Sequence, residues 1–168
     1  VRALAGDMFA AAMLDAFPEL VAQVFADVAA VLPATVGTAQ LARVARHGIT
    51  ANHFSLAEPG AAAGKRYRRR APAAGSFAAG ASAAEVAGPQ PGTYRVLRQT
   101  IEAATLSGST ATHALGILRV LAEAEAAIHG VAVDDVHFHE LAGWDSLMDV
   151  VAAGSVISGL GAATWSAD

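Results

Sequence analysis

Residues 110–130 read TATHALGILRVLAEAEAAIHG, and they decide the class of fold. Ala114, Ile117, Leu118, Leu121, Ala124 and Ile128 recur at the 3.6-residue period of one helical face, Ser109 or Thr110 can open the helix, and Gly130 stands where a left-handed cap would close it. The spacing therefore predicts a long helix. On its N-terminal side Tyr94, Leu97, Ile101 and Ala104 fall on one face of a second helix, with a turn over residues 107–109 between the two. On its C-terminal side residues 131–138 are short and β-branched, which suits a brief strand or an extended loop. Leu147, Val150, Val151, Gly154 and Ile157 mark a last helix that begins near Asp145; Gly159 and Gly161 signal its end, and residues 162–166 could start a further strand.

Earlier in the chain, Phe9, Ala10, Met13, Leu14 and Phe17 form the apolar stripe of a helix over residues 6–17, whose beginning Asp7 can cap or charge. Pro18 stops it and presets the next helix, along which Leu20, Val21, Val24, Phe25, Val28 and Leu32 are spaced as far as Pro33. Two helices joined so closely should fold back or meet at an angle over a shared core. Around Gly48 the pattern changes to a hairpin or two short strands, residues 40–46 and 50–56. Between residues 60 and 92, alanine, glycine and proline fill 21 of 33 positions with no period expressed, which reads as a long, mobile, disordered loop. Its run of Lys65, Arg66, Arg68, Arg69 and Arg70 reads first as a solvated basic insertion. The expected fold is thus α+β, mainly helical, with a small sheet or hairpin and this Ala/Gly/Pro/Arg loop, in one domain over residues 1–168.

Composition narrows the chemistry. With no cysteine, disulfides, thiolate metal sites, iron–sulfur clusters and cysteine nucleophiles are all excluded, so a metal would need imidazole or oxygen. A net charge of -4 gives no chain-wide attraction for phosphate backbones, and nucleic acid is not an expected partner. Asp15, Pro18, Glu19 and Asp27 interrupt the apolar beginning before it reaches the roughly 18 residues of a spanning helix, so a membrane is not expected either. No secretory signal is visible, and a cytoplasmic location is the expectation. The sequence is compatible with a homo-oligomer.

Polar residues concentrate between His129 and Asp149: His129, His137, His139, Glu140, Asp134, Asp135, Asp145 and Asp149. In an extended segment His137 and His139 project from one face, while Glu140 points away unless the chain turns. Asp145 and Asp149, four apart, share a helical face, and the positive N-terminus of that helix should hold both ionised. Such a set suits nickel, zinc, iron or manganese without choosing among them. The plainer readings stand beside it: a histidine beside a strand is more often a hydrogen-bonded structural group, and Asp145 reads equally as a cap. His47 and His53 flank the predicted turn without an acidic neighbour in sequence, and His113 reads as a surface or capping group. No Gly-x-Ser-x-Gly elbow or glycine-rich phosphate loop is present.

Four strings carry a family resemblance: Leu4-Ala5-Gly6-Asp7-Met8-Phe9, the 122–130 stretch AEAEAAIHG, Val136-His137-Phe138-His139-Glu140, and Trp144-Asp145-Ser146-Leu147-Met148-Asp149. In order and separation they resemble the LarC-type nickel insertion proteins, and Tyr94-Arg95 is similar to that family's His-Arg pair, with tyrosine in place of the histidine. The resemblance implies a CTP-dependent enzyme, a nickel cyclometallase of the lyase class. Such an enzyme inserts nickel into pyridinium-3,5-bisthiocarboxylic acid mononucleotide and so makes the nickel-pincer cofactor of lactate racemase. It implies His137, His139, Glu140 and Asp145 as catalytic candidates, His137, His139, Glu140 and Asp149 as metal ligands, and Asp7 and Arg95 as cofactor-binding residues. It further implies that CTP with Mg or Mn belongs to a C-terminal domain or subunit absent here, so that this chain alone would be an incomplete enzyme. The family's middle loop is often histidine-rich, whereas residues 60–92 contain none. The alternative is a non-catalytic metal-binding or scaffold module that supports a separate CTP-binding subunit.

Overall fold

A computed structural model describes residues 5–46, 48–57, 92–138 and 143–165. The expected loop at 60–92 lies outside the described residues except for Gly92, as do His47, His139 and Glu140. In chain order the elements are α1 (Gly6–Ala16), α2 (Val21–Val31), β1 (Thr38–Arg46), β2 (Ile49–Ala57), α3 (Tyr94–Ala103), α4 (Thr110–His129) and α5 (Trp144–Leu160). The fold is α+β and mainly helical, as the periodicities predict.

Helix α5 is the hub. Leu147, Met148, Val150, Val151, Ala152, Gly154, Ser155 and Val156 are all buried, so it is covered nearly all round rather than along one stripe. Helices α1, α2 and α4 and the hairpin's second strand pack on it, while α3 lies against α4. Helices α1 and α2, separated by Phe17 and a 3-10 turn over Pro18–Leu20, are bent by 112° at the break, which turns Ala10, Leu14, Val24 and Val28 into the common core. Proline at the first position of that turn explains the sharp redirection. No single helix among the described residues is long and apolar enough to cross a membrane.

The two strands pair antiparallel, from Thr38 opposite Ala57 to Arg46 opposite Ile49, around a turn containing Gly48 at φ 81°. Glycine adopts that angle without the clash a Cβ would bring. Phe54, 1% exposed, anchors the hairpin to the helices and meets the Phe25 ring edge-on at 6.0 Å. Asn52 adds a 2.9 Å hydrogen bond from its amide to Asp15 on α1.

The long helix occurs as predicted, with Gly130 left-handed at φ 65° and its N–H bonded to the Ala126 carbonyl. Its buried face is different. Thr110, Ala114, Leu118, Ala122 and Ala126 point inward, whereas Ala124 and Ile128 are exposed. Alanine carries too little hydropathy to steer the reading, yet it is what lets α4 and α5 approach closely. At the crossing, a Cβ on Gly154 would lie 2.8 Å from the Ala114 nitrogen and 2.9 Å from the Thr110 carbonyl oxygen, both main-chain atoms that cannot rotate away. Gly154→Val is therefore expected to force the helices apart and cost about 2–3 kcal/mol, measured as a lower urea midpoint at unchanged slope.

Residues 131–138 combine both sequence readings: a 3-10 turn at Val133–Asp135, then a single antiparallel bridge between His137 and Thr93. Tyr94 N–H donates to Val136 O at 3.1 Å and Phe138 N–H to Gly92 O at 2.9 Å. Gly159 lies within α5 and only Gly161 ends it. Residues 162–165 form no strand; Trp165 instead packs on Phe9 at 6.1 Å between ring centres.

Candidate functional site: a carboxylate cluster and a histidine cleft

The first turns of α1 and α5 meet side by side. A Cβ on Gly6 would come within 2.6 Å of the Asp149 Cβ and 2.9 Å of its Oδ2, so only glycine lets the two helices close here. This contact brings together Asp7 in the first turn of α1, Asp145 in the first turn of α5 and Asp149 one turn later. Neither helix has a side-chain cap: the N-cap positions are Ala5 and Gly143, and Asp7 Oδ1 accepts instead from the adjacent Met8 N–H at 2.8 Å. The reading of Asp145 as a cap is thus not what the geometry shows.

Asp149 behaves unlike an ordinary carboxylate. Its pKa is pushed up to about 7, first by burial and then by the negative charges of Asp7 and Asp145, with a hydrogen bond from the Asp7 backbone N–H opposing the rise. Its Oδ1 is buried with no hydrogen-bond partner among the described residues. The expectation that the helix start keeps Asp149 ionised is therefore corrected. A terminal dipole is worth a fraction of one kcal/mol to about one, less than the loss of water plus two like charges.

His137 lies elsewhere on the described surface. The bridge to Thr93 buries Val136 and Phe138 and leaves His137 exposed between them, as alternation requires. It borders two shallow clefts. One, of about 190 Å3, is lined by Thr93, Arg95, Asp134, Asp135 and His137; the other, of about 180 Å3, by His129, Val131, Asp135, Val136 and His137. Arg95 reaches Asp135 at 3.6 Å and the half-buried Arg98 reaches the exposed Asp134 at 3.5 Å, surface pairs that contribute little to stability. Arg98 also lies over the Tyr94 ring at 5.9 Å.

The residues singled out from sequence thus fall into two groups among the described residues. Asp7, Asp145 and Asp149 come together, as do Arg95 and His137. No three histidine or acidic side chains among the described residues converge closely enough to hold a metal ion. Unmarked by the sequence reading were Asp134 and Asp135 as partners of the arginines, and Gly6, whose missing Cβ admits Asp149. The one signal for Gly6 was its place immediately before Asp7.

The family model for nickel insertion proteins matches residues 2–168. The chain belongs to the nickel insertion protein family. Among curated relatives named for nickel insertion, one from Citrifermentans bemidjiense is 31% identical over 148 residues, 88% of this chain and 31% of that protein. One from Myxococcus xanthus is 44% identical over 69 residues, 40% of this chain and 18% of the relative. A pyridinium-3,5-bisthiocarboxylic acid mononucleotide nickel insertion protein from Nocardioides is 43% identical over 76 residues, 44% of this chain and 19% of the relative. The aligned stretches thus span less than a third of these relatives. No solved structure gives a significant match.

Proposed function

We propose that this chain is the nickel- and substrate-handling N-terminal domain of a protein that inserts nickel into pyridinium-3,5-bisthiocarboxylic acid mononucleotide, with the Asp149 carboxylate as the proton acceptor. Forming a carbon–nickel bond breaks a ring C–H bond: the electron pair of that bond passes to the metal, and the proton must leave to a base. Asp149 supports this role. Its pKa of about 7 balances proton affinity against availability near neutral pH, and its unpartnered oxygen has a lone pair to spare. That pKa is the observation that carries the reading, together with family membership.

In this reading His137, His139 and Glu140 present nickel, the substrate metal, while Asp145 raises the basicity of Asp149, which is kept as the base rather than as a ligand. Neutral imidazole and carboxylate suit nickel as a borderline ion. Arg95 and Asp7 are the candidates for contacting the mononucleotide, Arg95 through its phosphate. CTP with Mg or Mn is assigned to the remaining length of the longer relatives, and the nickel-pincer product to lactate racemase-type enzymes.

Mixing the chain with the C-terminal part of a relative, nickel, CTP with Mg and the mononucleotide should yield metallated product. His137→Ala with His139→Ala should abolish it. If that pair of changes weakens nickel binding yet leaves insertion intact, the chain is a metal-binding or scaffold module instead.

A further inference from the structure

Two backbone hydrogen bonds fix where His137 stands. Tyr94 N–H donates to Val136 O and Phe138 N–H to Gly92 O, so Thr93 and His137 face each other as the pair between those bonds. In such a pair the two side chains leave on one face and stand closer than elsewhere in a ladder. Along its own strand, buried Val136 separates exposed Asp135 from exposed His137, so Asp135 shares that face as well. Both clefts that His137 borders are also lined by Asp135. The other polar groups there are engaged elsewhere: Thr93 Oγ1 accepts from the Val96 N–H at 3.3 Å, Asp134 is drawn to Arg98 at 3.5 Å, and His129 pairs through Nε2 with Glu125 at 3.2 Å. Asp135 is thus the carboxylate common to both sides of the imidazole, and Arg95 on α3 holds it at 3.6 Å.

We infer that Asp135 is a positioning residue for His137: steadied by Arg95, its carboxylate accepts the Nδ1–H of the imidazole and leaves Nε2 bare for nickel. The inference rests on the reading that His137 presents nickel. A neutral imidazole binds a metal through one nitrogen only when its proton sits on the other, and the hydrogen bond made at that second nitrogen decides the tautomer. A carboxylate two residues back along the chain reaches Nδ1, the nitrogen nearer the backbone, more readily than Nε2. Left to itself the side chain favours the proton on Nε2, which would block that nitrogen; Asp135 reverses the preference. It also keeps a negative charge beside the bound cation without taking a coordination position.

Nitrogen NMR of the metal-free chain at about pH 8.5, where an ordinary imidazole is neutral, should show the Nδ1–H tautomer dominant at His137. Asp135→Ala should return the ring to the Nε2–H form, whereas Asp135→Asn, whose amide oxygen can still accept, should keep most of the bias. In calorimetric titration with nickel alone, affinity should fall about 10-fold for Asp135→Ala and by less than about 3-fold for Asp135→Asn. Thermal unfolding should stay unchanged, because the Arg95–Asp135 pair is exposed. In a His137→Ala background, Asp135→Ala should cost no further affinity. A His137 tautomer indifferent to Asp135→Ala overturns the inference. So does an undiminished loss of affinity in the His137→Ala background, which would make Asp135 a ligand itself. Nickel binding untouched by His137→Ala overturns instead the reading that His137 presents nickel, while the metal-free spectrum still decides whether Asp135 orients the ring.

Discussion

Replacing Asp27 by alanine should cost about 3–5 kcal/mol of folding stability, the largest loss expected from any single polar change in this chain. Asp27 is 1% exposed on α2, and three donors from three other places converge on it. Its Oδ1 accepts from the Ser107 N–H at 2.7 Å, and its Oδ2 from the Thr110 hydroxyl at 3.0 Å and the Ser155 hydroxyl at 2.6 Å. One carboxyl group thereby ties α2 to the turn before α4, to the first residue of α4 and to the middle of α5. The Gln23 amide adds a further strap to the Ser155 carbonyl at 3.1 Å. Alanine would take the acceptor from the half-buried Ser107 N–H and from the buried Thr110 and Ser155 hydroxyls, the last keeping only the Gln23 amide that donates to it at 3.3 Å, and would leave a small void; leaving a buried donor unmade costs more than the bond contributed. Asp27→Asn keeps the shape, and both hydroxyls can rotate to accept from its amide, so a loss of about 1–2 kcal/mol is expected. Thermal unfolding should fall by about 10 °C for alanine and by only a few degrees for asparagine. Equal effects of the two substitutions would mean that volume, not hydrogen bonding, holds this junction.

Asp27 also shows where sequence reading stops. In the sequence it is one of the charges that interrupt an apolar stretch, and its partners lie 80, 83 and 128 residues away. Local periodicity found the helices because each large apolar side chain reports its own burial; it located the hairpin through the change of period around Gly48. Periodicity could not choose between the two faces of α4. Both are apolar, and the one that enters the core is marked mainly by alanines, whose size allows close approach without a strong hydropathy signal. The same holds at the site. Spacing placed Asp145 and Asp149 on one face of a helix, and motif resemblance added Asp7. Only tertiary packing through Gly6 joins them, and burial first, then the charges of Asp7 and Asp145, convert Asp149 from an ionised group into one that titrates near neutrality.

Asp149→Asn should raise stability while removing activity, and the opposed signs test the proposed role. The folded pKa of about 7 lies above the ordinary aspartate value of 3.8, so between those limits the folded state holds a proton that the unfolded chain has released. Stability linked to this group is accordingly full below about pH 4, declines as pH rises and is lost above about pH 7. Discounted for its partly solvated edge, the penalty on the ionised folded state at pH 8 is about 2 kcal/mol. Asparagine cannot ionise, so the variant should be more stable than the parent by about 1–2 kcal/mol at pH 8 and indistinguishable from it near pH 4. Urea unfolding at both values reads this directly. If Asp149 accepts the ring proton, nickel insertion should fall about 10²–10⁴-fold in the same variant, and the parent's rate should rise with pH through an apparent pKa near 7. Asp145→Asn removes one of the two negative charges acting on Asp149, so the rise in rate should move to lower pH with most of the activity kept. A stabilised Asp149→Asn protein that still inserts nickel at the parental rate would place the base elsewhere, with His137 or His139 the next groups to replace.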